Sequence, residues 1–532
     1  MTEQTPSTPR RLSVLRERPL PNCGIFKRAG AVLAAAAFLV VVYGAWGYAV
    51  QGRALVSGVI VLLLLRAHSL RWLGLWCLTL GVLACAYAPA GVLYGPPNAN
   101  TLAALSGSNL GEAMEFLENL PNDVWWTECA LVLTGGLLWR TSPCLPALHN
   151  KVSVGLLIVV LAVSAFSSLA KNWRKDIALH AQQVNVAEWR FVQAFYGAMT
   201  TRADSGLGNV FGAPAWGTVT RGAASPELSV LVIGESVRRD FMGAYNPTLN
   251  NTPWMSRVPG IDFTHYVSPY ASTAGALSRV LFWSDAANKA AATNVVTLMQ
   301  AAGYRAFWFS AQGDGEQLRS PASLAAWRAE EKHLPRRGLI SERDEALLPR
   351  LEKALASTEK PRFIVLHLMG SHPRACRRTD GHYEKFVLSK ELSCYIQSIG
   401  NTDKLLQHVA ERLESTGRTW SLTYLADHGL RLDRDREGVA LRQDDGDRMS
   451  YSPPFFFTAS NLSERRKVEA ARNGRYFLPI FARLNDLRVE RFARRSCRWL
   501  EDVDCDDQTR VTDYEGRNRD YEGLSTTPLA DL

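Results

Sequence analysis

Residues 228–239, LSVLVIGESVRR, decide how the rest of the chain is read. From Leu228 to Ile233 the run is almost unbroken in apolar character and rich in β-branched residues, the pattern of a strand buried on both faces. Gly234 ends it, and Glu235 and Ser236 follow at once. In an open α/β sheet, ligands bind beyond the carboxyl ends of the strands, so a carboxylate there can face a site rather than a core. Taken alone, the stretch reads first as a strand leading into a helix cap, with Glu235 set against the helix dipole. The chain downstream changes that reading.

Apolar strand candidates recur at 228–233, 305–310, 362–369, 419–426 and 454–458, with helical stretches at 274–302, 342–356 and 400–415. Strand, turn and helix in repetition predict an α/β domain with a mainly parallel central sheet, spanning 228–505. Polar groups punctuate it: Gly234-Glu235-Ser236, then Ser272-Thr273-Ala274-Gly275 ahead of a helix. Gly370-Ser371-His372-Pro373 follows one strand, and Asp427-His428-Gly429 ends another.

Asp427 and His428 supply an oxygen and a nitrogen ligand at one strand end, and Glu235 a further oxygen, a set suited to Zn²⁺. The hydroxyl of Thr273, at a helix start, can complete the shell. A metal would lower its pKa, and the helix dipole would favour the anion and a phosphate bound beside it. Ser272 is the neighbouring hydroxyl and a candidate substrate contact. Each motif is weak singly: Asp-His-Gly occurs by chance, a Ser-Thr pair is usually an N-cap, and His372 could merely end a strand. Together, in this order and at strand ends or turns, they point to nucleophilic displacement at phosphorus.

The first 170 residues are different in kind. Hydrophobic residues make up 47% of the whole chain and the formal net charge is +9, but long apolar runs concentrate at 29–50, 54–66, 72–94, 124–139 and 152–170. Most are long enough to cross about 30 Å of hydrocarbon. The run at 54–65 would rise only about 18 Å, and lengthens if Arg53 and Arg66 snorkel. The tail 1–28 carries Arg10, Arg11, Arg16, Arg18, Lys27 and Arg28, which places it in the cytoplasm. The loop 95–123 has no Lys or Arg but holds Glu112, Glu115, Glu118 and Asp123, which suits the outer side. Five spans over 29–171 satisfy this alternation and leave the C-terminal part in the periplasm of a two-membrane cell. The first span is too long and too far along the chain for a cleaved signal peptide. Residues 172–227 form a connector, with an amphipathic helix at 173–198 and a Gly/Pro-rich linker at 206–226. No helix-turn-helix, zinc finger or RNA-binding signature occurs, so the basic charge implies membrane anchoring and an anionic substrate rather than nucleic acid.

From 228 to about 460 the chain resembles the phosphoethanolamine transferases of Gram-negative bacteria, inner-membrane members of the alkaline phosphatase/sulfatase superfamily. Gly-Glu-Ser, Ser-Thr-Ala, Gly-Ser-His and Asp-His-Gly match the family motifs in order, and Phe307-Trp308-Phe309-Ser310 is similar to the family's aromatic strand. The resemblance implies that Thr273 is the nucleophile, and that Glu235, Thr273, Asp427 and His428 hold one zinc. His372 would meet the phosphoryl group or a second zinc. It implies phosphatidylethanolamine as donor, and lipid A, lipopolysaccharide core or a periplasmic glucan as acceptor. Three departures stand out. Leu430 and Arg431 follow Asp-His-Gly where better-known members have Glu. No late histidine precedes the strand at 454, and Tyr451, the residue nearest that place, is a candidate substrate contact. Pro269 and Arg279 flank the nucleophile where the family often has a cysteine pair. A phosphoglycerol transferase of the same superfamily, or a non-catalytic lipid- or partner-binding member, is the alternative.

Of nine cysteines, Cys23 and Cys144 fall on the cytoplasmic side of this topology, and Cys77, Cys85 and Cys129 in spans. Cys376, Cys394, Cys497 and Cys505 lie outside, where an even number suggests two disulfides. Sequence order suggests Cys376–Cys394 and Cys497–Cys505, although three pairings exist; the first also resembles a family disulfide loop. The arginine-dense stretch 464–498 reads as a solvated helical face, or as a surface for anionic lipid phosphates. The polar tail 506–532 reads as loosely packed.

Overall fold

In the computed structural model, residues 228–234 form a strand at the heart of an eight-stranded sheet. The structure describes residues 23–529 apart from 99–100, 103–113, 115, 118–119, 147–149, 172–185, 205–211, 284–291, 313–319, 336–341, 357–360, 436–437, 494–496 and 515. The chain divides into two units, Met1–Pro97 with Leu120–Ala194, and Asn98–Asn119 with Phe195–Leu532.

The first unit is helical. Helices α1 (Ile25–Ala45), α2 (Gly52–His68), α3 (Leu70–Tyr94), α4 (Asn122–Thr141) and α5 (Lys151–Lys171) coincide with the five apolar runs. Among the described residues, α1 and α3 are long and apolar enough by themselves to cross a membrane. Small residues let the helices approach: a Cβ on Gly91 of α3 would lie 2.0 Å from the carbonyl oxygen of Ala45. Helix α6 (Ala187–Asp204) begins in this unit, where Tyr43 donates to the buried carboxylate of Glu188 at 3.0 Å and Trp46 stacks on Phe191 at 4.3 Å. The expected helix at 173–198 is thus described only from Ala187, since 172–185 lie outside the described residues. The expected tail 1–28 is described only from Cys23. Cys23 and Cys144 form a disulfide here, a bond the sequence reading did not foresee for two residues placed in a reducing compartment.

The second unit is an α/β domain. Its strands are β1 (Leu228–Gly234), β2 (Gly260–Phe263), β3 (Arg305–Ser310), β4 (Glu331–His333), β5 (Arg362–His367), β6 (Trp420–Ala426), β7 (Phe455–Ala459) and β8 (Arg465–Val468), in spatial order β8-β2-β7-β6-β1-β5-β3-β4. Every pairing is parallel except those of β7 with β6 and β2. Side chains of β1 alternate between two cores: Leu231 and Ile233 join one and Val230 and Val232 the other, all fully buried. Each contributes about 1.5–3 kcal/mol relative to exposure, which a slip of one residue would forfeit. Helix α7 (Thr273–Val280), α8 (Val295–Ala301) and α10 (Phe477–Leu484) back one face, and the long α9 (Lys390–Ser415) the other.

Several expectations are corrected. The single helix at 274–302 is two, α7 and α8. Asn294 starts the second with a capping box, its side chain accepting from Val296 and Thr297, and 284–291 lie outside the described residues. The arginine-dense stretch is not one helical face: it holds β8, α10 and a short strand at Leu487–Val489. Arg472 within it is fully buried, donating to the carbonyls of Trp499 at 2.9 Å and Val503 at 3.1 Å. The tail 506–532, expected to be loose, is packed among its described residues. Its strands Arg510–Thr512 and Asn518–Asp520 pair antiparallel, and Val511 and Tyr521 are buried. Disulfides Cys376–Cys394 and Cys497–Cys505 form as expected.

Candidate functional site

The register of the sheet assembles the site. In β1, Ile233 pairs with His367 of β5 and Gly234 with Ala426 of β6. The residues that follow, Glu235 and Asp427, therefore leave the sheet side by side at its carboxyl edge. Ser236 turns the chain at once, in a left-handed conformation with φ 57°. Its amide donates to Asp427 Oδ1 at 3.0 Å, and its hydroxyl to Glu235 Oε1 at 2.6 Å.

Asp427 and His428 point the remaining lone pairs inward. Asp427 Oδ1 also accepts from the His428 amide at 2.8 Å, whereas Asp427 Oδ2 is buried with no hydrogen-bond partner. His428 Nδ1 lies 2.6 Å from the Gly429 carbonyl oxygen, so Nδ1 carries the proton and Nε2 keeps its lone pair. Nε2 lies 3.5 Å from Asp427 Oδ2 and 3.7 Å from Glu235 Oε1. Ligand atoms of Glu235, Asp427 and His428 all fall within 4.8 Å of one another. Thr273, the first residue of α7, brings its hydroxyl to 3.2 and 3.3 Å from the two Glu235 oxygens and 3.4 Å from His428 Nε2.

Burial pushes the Glu235 carboxyl up from its ordinary pKa, and the Asp427 carboxylate beside it adds to the rise; His428, His372 and the Ser236 hydroxyl oppose it. Two buried carboxylates, one with an orphaned oxygen, and an imidazole nitrogen held with its lone pair inward are donors that could hold a metal ion, with a hydroxyl beside them. A cation among them would satisfy Asp427 Oδ2 and offset the carboxylate repulsion.

His372 stands on a loop fixed from two sides. Asp344 accepts from the Met369 and Gly370 amides at 2.7 and 2.9 Å, and the Ser371 amide donates to the Glu235 carbonyl at 3.1 Å. His372 Nδ1 faces the Pro373 carbonyl at 3.3 Å. Burial pushes its pKa down to about 4, against the pull of Glu235, so it is neutral at ordinary pH. Ser272 takes the N-cap position of α7.

Tyr451, expected as a substrate contact, lies inside the packing. It is fully buried beside Val267, Ala271 and Val511, its hydroxyl donating to the carbonyls of Asp445 at 3.1 Å and Thr512 at 3.3 Å. Leu430 joins the core, and its carbonyl accepts from the buried Arg238 at 3.3 Å. Sequence reasoning missed two amides at the centre. Gln312 donates to Glu235 Oε2 at 3.2 Å, and Gln443 Nε2 sits 3.2 Å from His428 Nε2. Neither lies in a motif, so no local signal marks it.

A parallel sheet with this cluster at its carboxyl edge defines a domain of alkaline phosphatase/sulfatase type, and residues 228–486 match the family model described as Sulfatase. The chain belongs to the phosphoethanolamine transferases, and is a phosphotransferase. It is 31% identical over 418 residues to phosphoethanolamine transferase OpgE of Escherichia coli strain K12, covering 77% of this chain and 79% of that one. Among solved structures it resembles the integral membrane lipooligosaccharide phosphoethanolamine transferase A (EptA) of Neisseria meningitidis. That match has TM-score 0.58 and 17% identity, over 86% of this chain and 95% of that one. The C-terminal periplasmic domain of EptC from Escherichia coli, in complex with Zn, matches with TM-score 0.50 and 18% identity, over 60% of this chain and 99% of that one.

Proposed function

We propose that the chain moves phosphoethanolamine from phosphatidylethanolamine to lipid A, lipopolysaccharide or a periplasmic glucan, through a covalent adduct on Thr273. One observation carries the reading: the Thr273 hydroxyl lies within 3.4 Å of both Glu235 and His428, beside the partnerless Asp427 Oδ2. Zn²⁺ held by Glu235, Thr273, Asp427 and His428 would lower the pKa of that hydroxyl and offset charge developing on the phosphoryl oxygens.

In the first step Thr273 Oγ1 bonds to the donor phosphorus, the bond from phosphorus to the glycerol oxygen breaks, and diacylglycerol leaves with a proton. Glu235 is the nearest acceptor for the proton that Thr273 gives up. In the second step an acceptor oxygen bonds to phosphorus, the Thr273 ester breaks, and the hydroxyl is restored. Amides at the start of α7 and the neutral His372 would face the phosphoryl oxygens. A second zinc beside His372 is part of the reading.

The five helices α1–α5 would cross the inner membrane, with the N-terminus in the cytoplasm and the α/β domain in the periplasm. Supporting this are the basic tail, the acidic loop 95–123 and the two disulfides of the α/β domain.

The test is the intact mass of the full-length protein and of Thr273→Ala after incubation with phosphatidylethanolamine. A phosphoethanolamine-sized increment on the native chain alone supports nucleophile and donor together. An increment only with phosphatidylglycerol would make it a phosphoglycerol transferase, and none with either lipid would overturn the covalent mechanism.

A further inference from the structure

Helix α7 carries Thr273 at its start and Arg279 near its end. The turn Gly474–Tyr476 packs on that end: a Cβ on Gly474 would lie 3.1 Å from Val280 and 2.8 Å from Pro269. This brings Arg475 up to Arg279. Arg279 is half-buried, its Cζ 4.7 Å from the centre of the Tyr270 ring. Nη1 donates to the Gly275 carbonyl at 2.8 Å and to Ser278 Oγ at 3.2 Å, which leaves Nε and Nη2 unused in those bonds. Arg475 is also half-buried; Nη2 donates to Thr512 Oγ1, and its Nε is buried with no partner. Neither guanidinium meets a carboxylate among the described residues. The nearby Arg510 adds a third positive charge, with Asp507 at 3.8 Å as its partner.

Buried charges are normally paired, and two adjacent guanidiniums without an acid leave a demand for an anion. Burial and the neighbouring Arg279 push the Arg475 pKa down to about 10, with Tyr476 and Asp507 opposing. Paired guanidinium forks match the oxygens of a phosphoryl group. The Arg279 side chain folds back along α7, its guanidinium at the Gly275 carbonyl and over the Tyr270 ring, and these contacts do not include Thr273, Glu235 or His428. Phosphatidylethanolamine has a single phosphorus, and for transfer it must sit at Thr273. A second phosphoryl group held beside that cluster would belong to the other substrate.

We infer that Arg279 and Arg475 form a second anion site that binds a phosphoryl group of the acceptor while another part of the same acceptor attacks the Thr273 adduct. The inference rests on the proposed role of Thr273 and specifies the acceptor as a phosphorylated molecule.

The experiment uses full-length protein in detergent, with Arg279→Gln, Arg475→Gln and the charge-keeping Arg279→Lys, each matched to the native chain in melting temperature and zinc content. Adduct formation from phosphatidylethanolamine is followed by intact mass. Discharge is followed with bisphosphorylated lipid A and with its dephosphorylated form. The expected result is unchanged adduct formation and a KM for bisphosphorylated lipid A raised about tenfold or more in the Gln variants. Arg279→Lys should lie between, and the dephosphorylated acceptor should not distinguish the proteins. Equal losses on both acceptors, or no change on either, would overturn the inference; slowed adduct formation would assign the pair to the donor and overturn it too. If the native chain forms no adduct, the Thr273 reading fails instead. The anion site is then decided by equilibrium titration with bisphosphorylated lipid A, which the native chain should bind more tightly than Arg279→Gln.

Discussion

At the scale of single residues, Asp427 Oδ2 is the atom on which the metal reading turns. Asp427→Asn keeps the shape and leaves an oxygen for the Ser236 and His428 amides, but replaces an anionic ligand by a neutral one. We expect zinc near stoichiometric in the native protein by elemental analysis, at least tenfold lower occupancy in the variant, and transfer reduced about 100-fold or more. Tyr451 should behave oppositely. Its hydroxyl joins two carbonyls inside a small apolar cluster, so Tyr451→Phe should cost about 1 kcal/mol of stability in denaturant unfolding and leave KM for the donor unchanged. A raised KM at native stability would restore the substrate contact. Asp344 carries a pH prediction. Burial raises its carboxyl to about 6 from an ordinary 3.8, so the folded chain binds this proton more tightly than the unfolded chain. Its contribution to stability is complete below about pH 4 and is lost as pH rises through about 6. In Asp344→Asn that slope should vanish, which thermal melts across pH 4–7 would show. The cluster itself was legible because Glu235, Asp427 and His428 each follow an apolar strand and Thr273 precedes a helix. Asp344, Gln312 and Gln443 were not, because their partners lie far away in sequence and nothing local marks the contact.

At the scale of elements, the strands buried on both faces were the readable ones. β1, β3, β5 and β6 are short apolar runs, and a parallel strand covered by helices on both sides needs that composition. β2, with Asp262, and β8, with three basic residues, give no such signal. They are strands because Asp262 is answered by Arg465 at 2.6 Å and because neighbours offer their edges. The helix expected at 274–302 shows the same limit. Helical composition continues past Val280, but Phe282 bridges to Asn294 and Asn294 caps a new helix, a tertiary preference that composition does not encode. The loop after β5 shows what a turn must supply. Gly370 has φ 51°, and a Cβ there would stand 2.9 Å from the Glu235 amide nitrogen. Gly370→Ala should strain the backbone and displace Glu235, with about 1–3 kcal/mol lost in unfolding. Zinc affinity should fall with it, which separates this turn from a merely structural glycine whose replacement would lower melting alone.

At the scale of the whole molecule, the cysteines and the helices constrain one another. Helices α1 and α4 bring Cys23 and Cys144 together at one end, and an even number of crossings between them keeps both on one side of a membrane. The five crossings proposed, an odd number, would put the α/β domain on the opposite side from Cys23. Then Cys23–Cys144 and Cys376–Cys394 cannot both persist in the same oxidising compartment. On the proposed topology, with the basic residues ahead of α1 in the cytoplasm, that pair should be two adjacent thiols in the cell, and the bond at Cys376–Cys394 should be intact. The check is thiol labelling in intact cells, in a variant with Cys77, Cys85 and Cys129 replaced by alanine. A membrane-permeant maleimide should label Cys23 and Cys144 without prior reduction, an impermeant one should not, and Cys376 and Cys394 should react with neither until reduced. If Cys23 and Cys144 also resist the permeant reagent until reduction, they are bonded, and their end of the helices lies in the periplasm. One of the five helices would then not cross, and since an even number of crossings must separate Cys23 from Cys144, that helix would be α5, which follows Cys144.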